Sequence, residues 1–419
     1  MKNFKDSGIE WLGEIPQHWE VVKIKFLAIF YTGDSIKDSE KHKYCFLNNS
    51  IPYISTKDID INTNVIDYNN GMFIEKNDAN FKRAYTNSIL LCLEGANAGK
   101  KIAFLDKEVC FVNKLCCISS KTKKLNSKFL FYFLQSVFFK NVFIANIKGL
   151  IGGITTDQLG NFYMLFPPLK EQEQIANFLD EKCKKIANFT EKKEKLITLL
   201  KEQKQALINE TITKGLDKNV NFKDSDIEWL GEIPQHWNIL KLKHIASLRN
   251  QKSNNIDFRI GLENIESKTG KFIPSSEVVF EEDGIGFKKG DILFGKLRPY
   301  LAKVFLTDRD GICVSEFLVL KIKSESNKFI KFLMLSSLFI DIVDSSTYGT
   351  KMPRANWEFI GNLKIPLPPL KEQEQIANFL DEKCEKIDLL IEKTKKQIKL
   401  IKEYKTILIN QAVCGRISL

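Results

Sequence analysis

The chain has 419 residues, a formal net charge of +11 at pH 7 and a hydrophobic content of 43%. This composition excludes an intrinsically disordered chain and predicts two to four domains. The excess of lysine and arginine favours an anionic partner, most commonly nucleic acid, although a lysine-rich genome would give the same excess. The most apolar run, Phe129 to Phe139, is too short to cross a bilayer. Nine cysteines without a disulfide-like spacing favour a soluble protein in a reducing compartment.

The first motif, which we call the clasp, runs from Phe4 to Trp19 (FKDSGIEWLGEIPQHW) and returns from Phe222 to Trp237 with one change in sixteen residues. A second motif, Pro167 to Cys183 (PPLKEQEQIANFLDEKC), is repeated without change from Pro368 to Cys384. A repeat of about 200 residues is typical of a duplicated domain and too long for a solenoid unit. Because the segments between the repeats diverge almost completely, the sequence predicts one scaffold holding two different inserts.

Both inserts are predicted to be mixed α/β domains. Each clasp is followed by an alternating stretch that favours a half-buried strand, from Glu20 to Phe26 and from Asn238 to His244. Further strands are predicted at Ile51 to Ser55, Ser88 to Cys92, Lys101 to Leu105, Val109 to Asn113 and Cys313 to Ile322. Late in each insert we expect a helix, with Ser127 and Asn327 as N-caps, then a glycine loop at Gly149 to Gly153 or at Gly349.

A long helix is predicted after each Pro-Pro pair, because proline favours the first turn of a helix. Apolar residues then recur every seven positions, which is typical of a coiled coil. The positions are Leu179, Ile186, Leu200 and Leu207, with Phe189 and Leu196 three residues on, and then Leu380, Ile387, Ile401 and Leu408, with Leu390 and Tyr404. If each insert has its ends close together, the two helices are antiparallel. A plain linker or dimerisation rod is the alternative for the helices alone.

The order of domain, helix, domain, helix resembles the specificity subunit of type I restriction-modification systems, and the resemblance covers essentially the whole chain. It rests on Trp-Leu-Gly-Glu-Ile-Pro-Gln-His-Trp before each domain and on Pro167 to Gln172 and Pro368 to Gln373 at the helix starts. Gly95 to Lys100 and Asp291 to Tyr300 are also similar to phrases of that family.

The resemblance implies an α+β fold with two target recognition domains and two long antiparallel helices that form a coiled coil with a pseudo-two-fold repeat. The expected segments are a first recognition domain at 1–166, a first helix at 167–215, a second domain at 216–366 and a second helix at 367–419. Each domain is expected to read one half of a bipartite, asymmetric site on double-stranded DNA. The helices are expected to fix the spacer between the halves and to dock two modification subunits, the adenine methyltransferases.

The resemblance also implies that this chain is not catalytic and carries no cofactor or metal. S-adenosylmethionine, ATP and Mg are expected on the modification and restriction subunits, in a prokaryotic cytoplasm. Two alternative functions remain for the chain. One is a single-chain restriction or methylating enzyme, and the other is a coiled-coil adaptor without DNA specificity of its own. The sequence disfavours the enzyme, because four segments already occupy the 419 residues.

Motifs that suggest chemistry in this chain are weak. Gly95 to Lys101 is similar to a phosphate-binding loop but is one residue short, and Lys101 replaces the Ser or Thr that would hold magnesium. Asp180 to Lys182 and Asp381 to Lys383 match the Asp-x-Lys of nucleases, but they lie inside predicted helices. The histidines do not have metal-ligand spacing with cysteine.

Cations and amides on predicted loops near aromatic residues are the candidates for DNA contact, with ordinary surface charge as the alternative for each. In the first domain these are Lys82, Arg83, Asn97, Lys100, Lys101, Asn113 and Lys114. In the second they are Lys296, Arg298, Tyr300, Lys303, Lys351, Arg354 and Asn356. For docking of the partner subunits the candidates are Glu171, Gln172, Glu372 and Gln373.

Overall fold

The computed structural model describes residues 3–9, 13–45, 49–149, 152–253, 258–274, 284–347 and 351–417. Trp11 and Leu12 of the first clasp and the expected glycine loop at Gly349 lie outside these residues. The chain divides into two compact units. Unit 1 consists of Met1–Lys193 with Lys396–Leu419, and unit 2 consists of Glu194–Lys395.

Unit 1 contains twelve short strands within its described residues. They are β1 (Phe4–Asp6), β2 (Glu14–Pro16), β3 (Glu20–Lys23), β4 (Ala28–Thr32), β5 (Ser50–Ile54), β6 (Phe73–Glu75), β7 (Arg83–Ala84), β8 (Ile89–Cys92), β9 (Ile102–Phe104), β10 (Val109–Phe111), β11 (Leu115–Ser120) and β12 (Tyr163–Phe166). Three helices follow β11 or precede β12, namely α1 (Ser127–Phe133), α2 (Val137–Ala145) and α3 (Thr156–Gly160). The long helix α4 (Leu169–Lys214) begins here and continues into unit 2.

Unit 2 repeats the same kind of structure. Its strands are β13 (Phe222–Asp224), β14 (Glu232–Pro234), β15 (Asn238–Lys241), β16 (Ala246–Arg249), β17 (Lys252–Ser253), β18 (Arg259–Ile260), β19 (Gly284–Phe287), β20 (Ile292–Gly295), β21 (Val304–Leu306), β22 (Gly311–Cys313), β23 (Phe317–Ile322) and β24 (Lys364–Leu367). Its helices are α5 (Leu242–Ile245), α6 (Asn327–Leu335), α7 (Ser337–Ser345), α8 (Trp357–Asn362) and the long α9 (Leu370–Val413), which ends in unit 1.

The antiparallel four-stranded sheets of the two units have matching topology despite their dissimilar sequences. An antiparallel sheet in the order β4-β11-β8-β9 corresponds to β16-β23-β20-β21. A second four-stranded sheet in each unit contains one parallel pair, β5 with β10 and β18 with β22. Two-stranded ribbons complete each unit, and one of them pairs β3 with β12, or β15 with β24, immediately before the long helix. The predicted mixed α/β fold with an internal repeat is confirmed.

Each unit has a continuous apolar core between its antiparallel sheet and its helices. In unit 1 the fully buried Phe129 and Phe143 pack in the same cluster as Trp19 of the clasp and Val413 at the end of α9. In unit 2, Phe329 and Phe339 pack with Trp237 and with Ile212 at the end of α4. Burial of these large side chains from water is the main stabilising contribution.

Buried thiols serve as apolar core residues in both units. Burial raises the pKa of Cys110 to about 11 and the pKa of Cys313 to about 12, because the thiolate would lose its hydration there. The two groups are therefore neutral near pH 7 and pack like other small apolar side chains.

Two of the predicted strands are shorter than expected. The stretch from Glu20 to Phe26 leaves the sheet after Lys23 and turns into a 3₁₀ helix, which exposes Phe26 by 64% instead of burying it. The stretch from Asn238 to His244 likewise ends in α5. The prediction from Cys313 to Ile322 joined β22 and β23, which are separated by a turn.

The N-caps of α1 and α6 lie one residue earlier than predicted. The Asn126 side chain accepts the N–H groups of Lys128 and Phe129, and the Ser326 hydroxyl accepts that of Phe329. Ser127 and Asn327 are instead the first helical residues. Asn and Ser both make good caps, so sequence preference does not separate these neighbours.

The two long helices run antiparallel within each unit, as predicted. In unit 2, Lys204 of α4 binds Asp388 of α9, and Gly215 at the end of α4 lies beside Glu372 at the start of α9. In unit 1, α9 residues near Leu408 share a core cluster with α4 residues near Leu179. At 46 and 44 residues, the helices are each about 65–70 Å long.

The buried stripe on each long helix has the 4–3 spacing of a coiled coil, but its second position was wrongly predicted. Leu179, Ile186, Leu380 and Leu408 are buried or half-buried as expected. Their partner position is four residues on, not three, and comprises Cys183, Thr190, Ile197, Lys204 and Thr211 on α4 and Cys384, Ile391, Ile398, Lys405 and Ala412 on α9. Phe189, Leu196, Leu390 and Tyr404, at the predicted position, are 38–50% exposed.

Among the described residues, no single helix is long and apolar enough to span a membrane. Among these residues, only α1 and α2 taken together have the length and apolar composition of such a helix, and they are bent by 63° at their junction.

Candidate nucleic-acid interface

Each clasp is fixed to the first turn of a long helix by one glutamate. In unit 1, the indole N–H of the fully buried Trp19 donates to Glu171 Oε2 at 3.0 Å, and His18 Nε2 lies 2.6 Å from Oε1. In unit 2, Trp237 donates to Glu372 Oε1 at 3.1 Å, and the His236 Nε2 to Glu372 Oε2 distance is 2.8 Å. A carboxylate at a helix N-terminus is also stabilised by the helix dipole.

The glutamine that follows each of these glutamates makes hydrogen bonds within its own unit. Gln172 is fully buried, its Oε1 accepts the N–H of Asn126, and its Nε2 donates to the carbonyls of Lys124 and Pro167. Gln373 similarly accepts the N–H of Ser326. These bonds seat the cap of α1 or α6 on the long helix, so the predicted docking residues Gln172 and Gln373 have no side-chain surface free for a partner.

Two loops pair in unit 1 at the end of strand β8. We call residues 93–101, 148–149 and 152–154 the paired loops of unit 1. The Gly95 N–H donates to Gly152 O at 2.8 Å, and the Ile154 N–H donates to Leu93 O at 3.1 Å. The Leu93 N–H donates to Lys114 O at 2.9 Å, which adds the turn before β11.

The same backbone bonds recur in unit 2 at the end of β20. The paired loops of unit 2 are residues 296–303 and 351–355. The Arg298 N–H donates to Pro353 O at 2.8 Å, the Ala355 N–H to Lys296 O at 3.0 Å and the Lys296 N–H to Glu316 O at 2.8 Å. The two units therefore hold equivalent loops in one backbone frame.

The side chains carried by this frame differ at each corresponding position. Leu93 corresponds to Lys296, Gly95 to Arg298, Gly152 to Pro353 and Lys114 to Glu316, as the shared hydrogen bonds define them. One frame thus presents two unlike chemical surfaces, with a charge of opposite sign at the last pair. Such loops on a rigid scaffold suit recognition of two different ligands of the same general kind.

Several of the predicted DNA-contact residues of unit 1 bind within the unit. Lys82 Nζ donates to Thr32 O at 3.0 Å, and Arg83 binds Glu108 and the carbonyl of Lys76. Lys100 donates to Ala96 O within its own loop. The remaining candidates, apart from Lys101, lie at the paired loops or in the adjoining turn, and they are Asn97, Asn113 and Lys114. The exposed Lys148 belongs to the same loops, directly before the predicted glycine loop, and was not among the predicted residues.

In unit 2 the candidates are similarly divided. The guanidinium of Arg354 binds both carboxylate oxygens of Glu316 at 3.0 and 3.2 Å, and Asn356 caps α8 by accepting the Phe359 N–H. The other candidates in the paired loops, apart from Lys303, are Lys296, Arg298, Tyr300 and Lys351. Of these, Arg298, Tyr300 and Lys351 are exposed, which leaves them accessible to a ligand.

Lys101 and Lys303 have an equivalent structural role in the two units. Lys101 Nζ donates to Thr56 O at 2.6 Å, and Lys303 Nζ donates to Leu262 O at 2.5 Å, each at the first residue of a 3₁₀ helix. Burial lowers the pKa of Lys303, although the charge of Glu263 opposes that effect. Because both units make this bond, it explains why a lysine occurs at each of these two positions. DNA contact is not needed to explain either lysine.

The nuclease-like triplets lie on the surface of the long helices. Asp180 accepts the Tyr132 hydroxyl at 2.6 Å and lies 3.4 Å from Lys128 Nζ, whereas Glu181 pairs with Lys185 one turn on. Within the described part of the chain, no three side chains among His, Cys, Asp and Glu are grouped to hold a metal ion.

Comparison with known proteins identifies the family. The family described as "Type I restriction modification DNA specificity domain" matches residues 16–199 and 234–400, once in each half of the chain. The chain belongs to this family. Each match covers the last four residues of one clasp, one pair of loops and most of one long helix, so this protein has two recognition domains.

Two relatives match the chain, one of them over nearly its full length. It is 28% identical over 446 residues to the type I restriction enzyme MjaVIII specificity subunit of Methanocaldococcus jannaschii, covering 99% of this chain and 96% of the relative. It is 27% identical over 162 residues to the EcoDI specificity subunit of Escherichia coli, covering 36% of each chain.

Solved structures share the fold. A chain from a study of complex assembly and conformational transition of the type I R-M system matches with a TM-score of 0.73 at 14% identity, covering 96% of this chain and 99% of that one. The HsdS subunit from Thermoanaerobacter tengcongensis matches with a TM-score of 0.55 at 16% identity, covering 96% and 98%. The long helices and the two mixed α/β units of this protein are thus a known architecture.

Proposed function

We propose that this protein is the DNA-recognition subunit of a type I restriction-modification complex and that each unit reads one half of a bipartite, asymmetric site. The observation that supports this proposal is the common backbone frame of the paired loops, which carries different side chains in the two units. Identical frames approach the same kind of duplex in the same way, while some of the unlike side chains that they carry contact unlike base edges. The long helices then fix the number of base pairs between the half-sites.

The proposal assigns no catalytic step to this chain. Methylation of adenine from S-adenosylmethionine would be carried out by two modification subunits, and ATP- and Mg-dependent translocation and cleavage by restriction subunits. The complex would act in a prokaryotic cytoplasm. The positive net charge of +11 supports attraction of this subunit to DNA.

Two equal docking sites for the modification subunit are supported by the identical repeat at the helix starts. Packing requires identity only at the buried positions, yet the exposed positions are identical as well. They include Leu169, Lys170, Glu173, Gln174 and Asn177 in unit 1 and Leu370, Lys371, Glu374, Gln375 and Asn378 in unit 2. Leu169 and Leu370 are 40% and 47% exposed, and their recurrence within an identical set of exposed residues favours contact with two copies of one partner. We therefore place docking on this face, beside Glu171 and Glu372.

Mapping of methylated adenines in the host genome, with and without the gene for this chain, tests the proposal. We expect one motif of two short, unlike half-sites separated by a fixed number of unread base pairs, and we expect it to vanish with the gene. A single contiguous motif, a palindrome or an unchanged pattern would contradict it.

The alternative function is a coiled-coil adaptor without DNA specificity. Binding of the complex to duplex DNA at about 50 and 200 mM salt separates the two, because release of counterions from about 6–10 phosphate contacts weakens binding by about 10³–10⁵ over that range. Weak binding with a flat salt dependence would favour the adaptor.

A further inference from the structure

Arg298 has an unfavourable backbone conformation in the paired loops of unit 2. Its φ and ψ angles are 53° and 66°, in the left-handed region that residues with a side chain rarely adopt. Pro299 follows it, and a residue before proline is normally extended. At the corresponding position, unit 1 has Gly95 with φ of 83°, for which this conformation carries no steric penalty.

The frame holds Arg298 in this conformation from both sides. Its N–H donates to Pro353 O, while the Leu301 N–H donates to its carbonyl at 2.9 Å. Glycine would serve the turn better, so the arginine side chain is retained at a conformational cost. An unfavourable conformation that the surrounding structure maintains is a common property of functional positions.

The guanidinium of Arg298 is free to bind a ligand. The side chain is exposed and, within the described part of the chain, it has no carboxylate partner. The adjacent carboxylate of Glu316 is already bound by Arg354 through both oxygens. Lys303 and Arg354 of the same two loops bind within unit 2, so Lys296, Arg298 and the exposed Lys351 are the remaining cations of this small region.

Both units carry positive charge in this region, although the cations lie at different positions of the backbone frame in the two units. Around the corresponding loops, unit 1 carries Lys100, Lys114 and Lys148 at other positions. Readers of two different base sequences share only the sugar-phosphate backbone of their ligand, which carries the same charge at each base pair. A planar guanidinium also binds a phosphate through two hydrogen bonds.

We propose that Arg298 binds a DNA phosphate and positions unit 2 on its half-site without reading a base. This inference rests on the proposed function. It assigns to Arg298 a role in affinity and orientation and leaves base discrimination to other residues of unit 2.

The test replaces Arg298 in the full-length protein, assembled with its modification subunits, and measures binding to a duplex with the mapped site and to one with a changed unit 2 half-site. Arg298→Gly introduces the residue that unit 1 has there. We expect its melting temperature not to fall, its affinity for both duplexes to fall by the same factor of about five, and its salt slope to decrease by about one. Arg298→Lys keeps the charge, so it should retain most of the affinity and the same sequence preference.

Asp226→Gly is the matched control. Asp226 also has a positive φ, 52°, where unit 1 has Gly8, but it lies in the second clasp and not in the paired loops. Its replacement relieves the same kind of backbone conformation and should leave the preference between the two duplexes unchanged and the affinity within about twofold.

Three results would overturn the inference. Unchanged affinity of Arg298→Gly would remove the contact, a changed methylation motif in Arg298→Lys would make Arg298 a base reader, and a lower melting temperature of Arg298→Gly would make its role structural. Failure of the unaltered complex to bind its site would instead overturn the proposed function.

Discussion

The buried indole of Trp19 donates its N–H to Glu171 over 3.0 Å, across 152 residues of sequence. Trp237 and Glu372 make the same bond in unit 2 at 3.1 Å. The bond joins the clasp, which leads into the recognition domain, to the first turn of the long helix that leaves it. The clasp and the Pro-Pro helix start are therefore the two partners of one contact, which explains why the two motifs are repeated together.

Replacement of this glutamate should destabilise the protein. Glu171→Ala leaves the indole N–H of Trp19 buried without an acceptor, at a cost of about 2 kcal/mol. Glu372→Ala should cost a similar amount in unit 2. Urea unfolding measures both, and Glu173→Ala, at an exposed position of the same helix turn, should change stability by less than about 0.5 kcal/mol. Equal midpoints for Glu171→Ala and Glu173→Ala would contradict this role of the bond.

Loss of one member of the ion pair between Lys204 and Asp388 should destabilise the protein more than replacement of both members by apolar residues. Both carboxylate oxygens of Asp388 lie 2.9 Å from Lys204 Nζ, and the two side chains are 11% and 14% exposed. Asp388→Ala leaves a buried ammonium group and should cost about 3 kcal/mol, whereas Lys204→Met with Asp388→Leu should cost clearly less. A double variant as unstable as the single one, by thermal unfolding, would contradict this account.

The replacement Lys140→Ile should stabilise unit 1. Burial, followed by the charge of Lys405, lowers the pKa of Lys140 below its ordinary value of 10.5. Because the unfolded chain then binds the proton more tightly, the charged lysine opposes folding, and this penalty is lost only as the pH rises towards 10.5. Isoleucine is the residue of unit 2 at this position, Ile340, where it is 5% exposed.

We expect Lys140→Ile to raise the free energy of unfolding by roughly 1 kcal/mol at pH 7 and by less at pH 10. Lys121→Ile, at an exposed position of the same unit, is the control for the lost charge. A gain that is equal at both pH values would show that the titration of Lys140 does not contribute.

The apolar residue at each helix start should matter for assembly and not for folding. Leu169→Lys combined with Leu370→Lys alters two exposed side chains, so stability should change by less than about 1 kcal/mol. Binding of the modification subunit, measured by titration calorimetry, should weaken by tenfold or more if these are central contacts. Leu216→Lys, which alters a side chain of equal exposure (40%) outside the repeats, should bind normally.

Lengthening both long helices should lengthen the spacer of the DNA site. Insertion of seven residues after Lys192 and after Lys393 preserves the 4–3 buried stripe and adds about 10 Å of helix. Methylation mapping should then show the same half-sites separated by about two to four more base pairs. The same insertion in one helix alone should misalign the pair and abolish methylation. An unchanged spacer would refute the ruler role of the helices.

The sequence alone was sufficient to predict the architecture of this protein, because the architecture follows from two motifs that each occur twice. Two copies of the clasp and of the Pro-Pro helix start define two similar units, whatever their interiors. The heptad positions of Leu179 and Leu380 predicted the buried side of each long helix correctly, since one residue in seven must return to the same face.

Only the tertiary structure decided which polar groups remain free, because that depends on partners distant in the chain. Gln172 and Gln373 look like surface residues of a helix start, yet each is buried by the cap of another helix. The second position of the buried stripe includes Thr190 and Lys204 rather than Phe189 and Leu196. Both polar side chains have partners there, since the Thr190 hydroxyl donates to the carbonyl of Ile186 and Lys204 binds Asp388. The correspondence of Gly95 with Arg298 likewise exists only in space, since the loops that share a frame have no sequence in common.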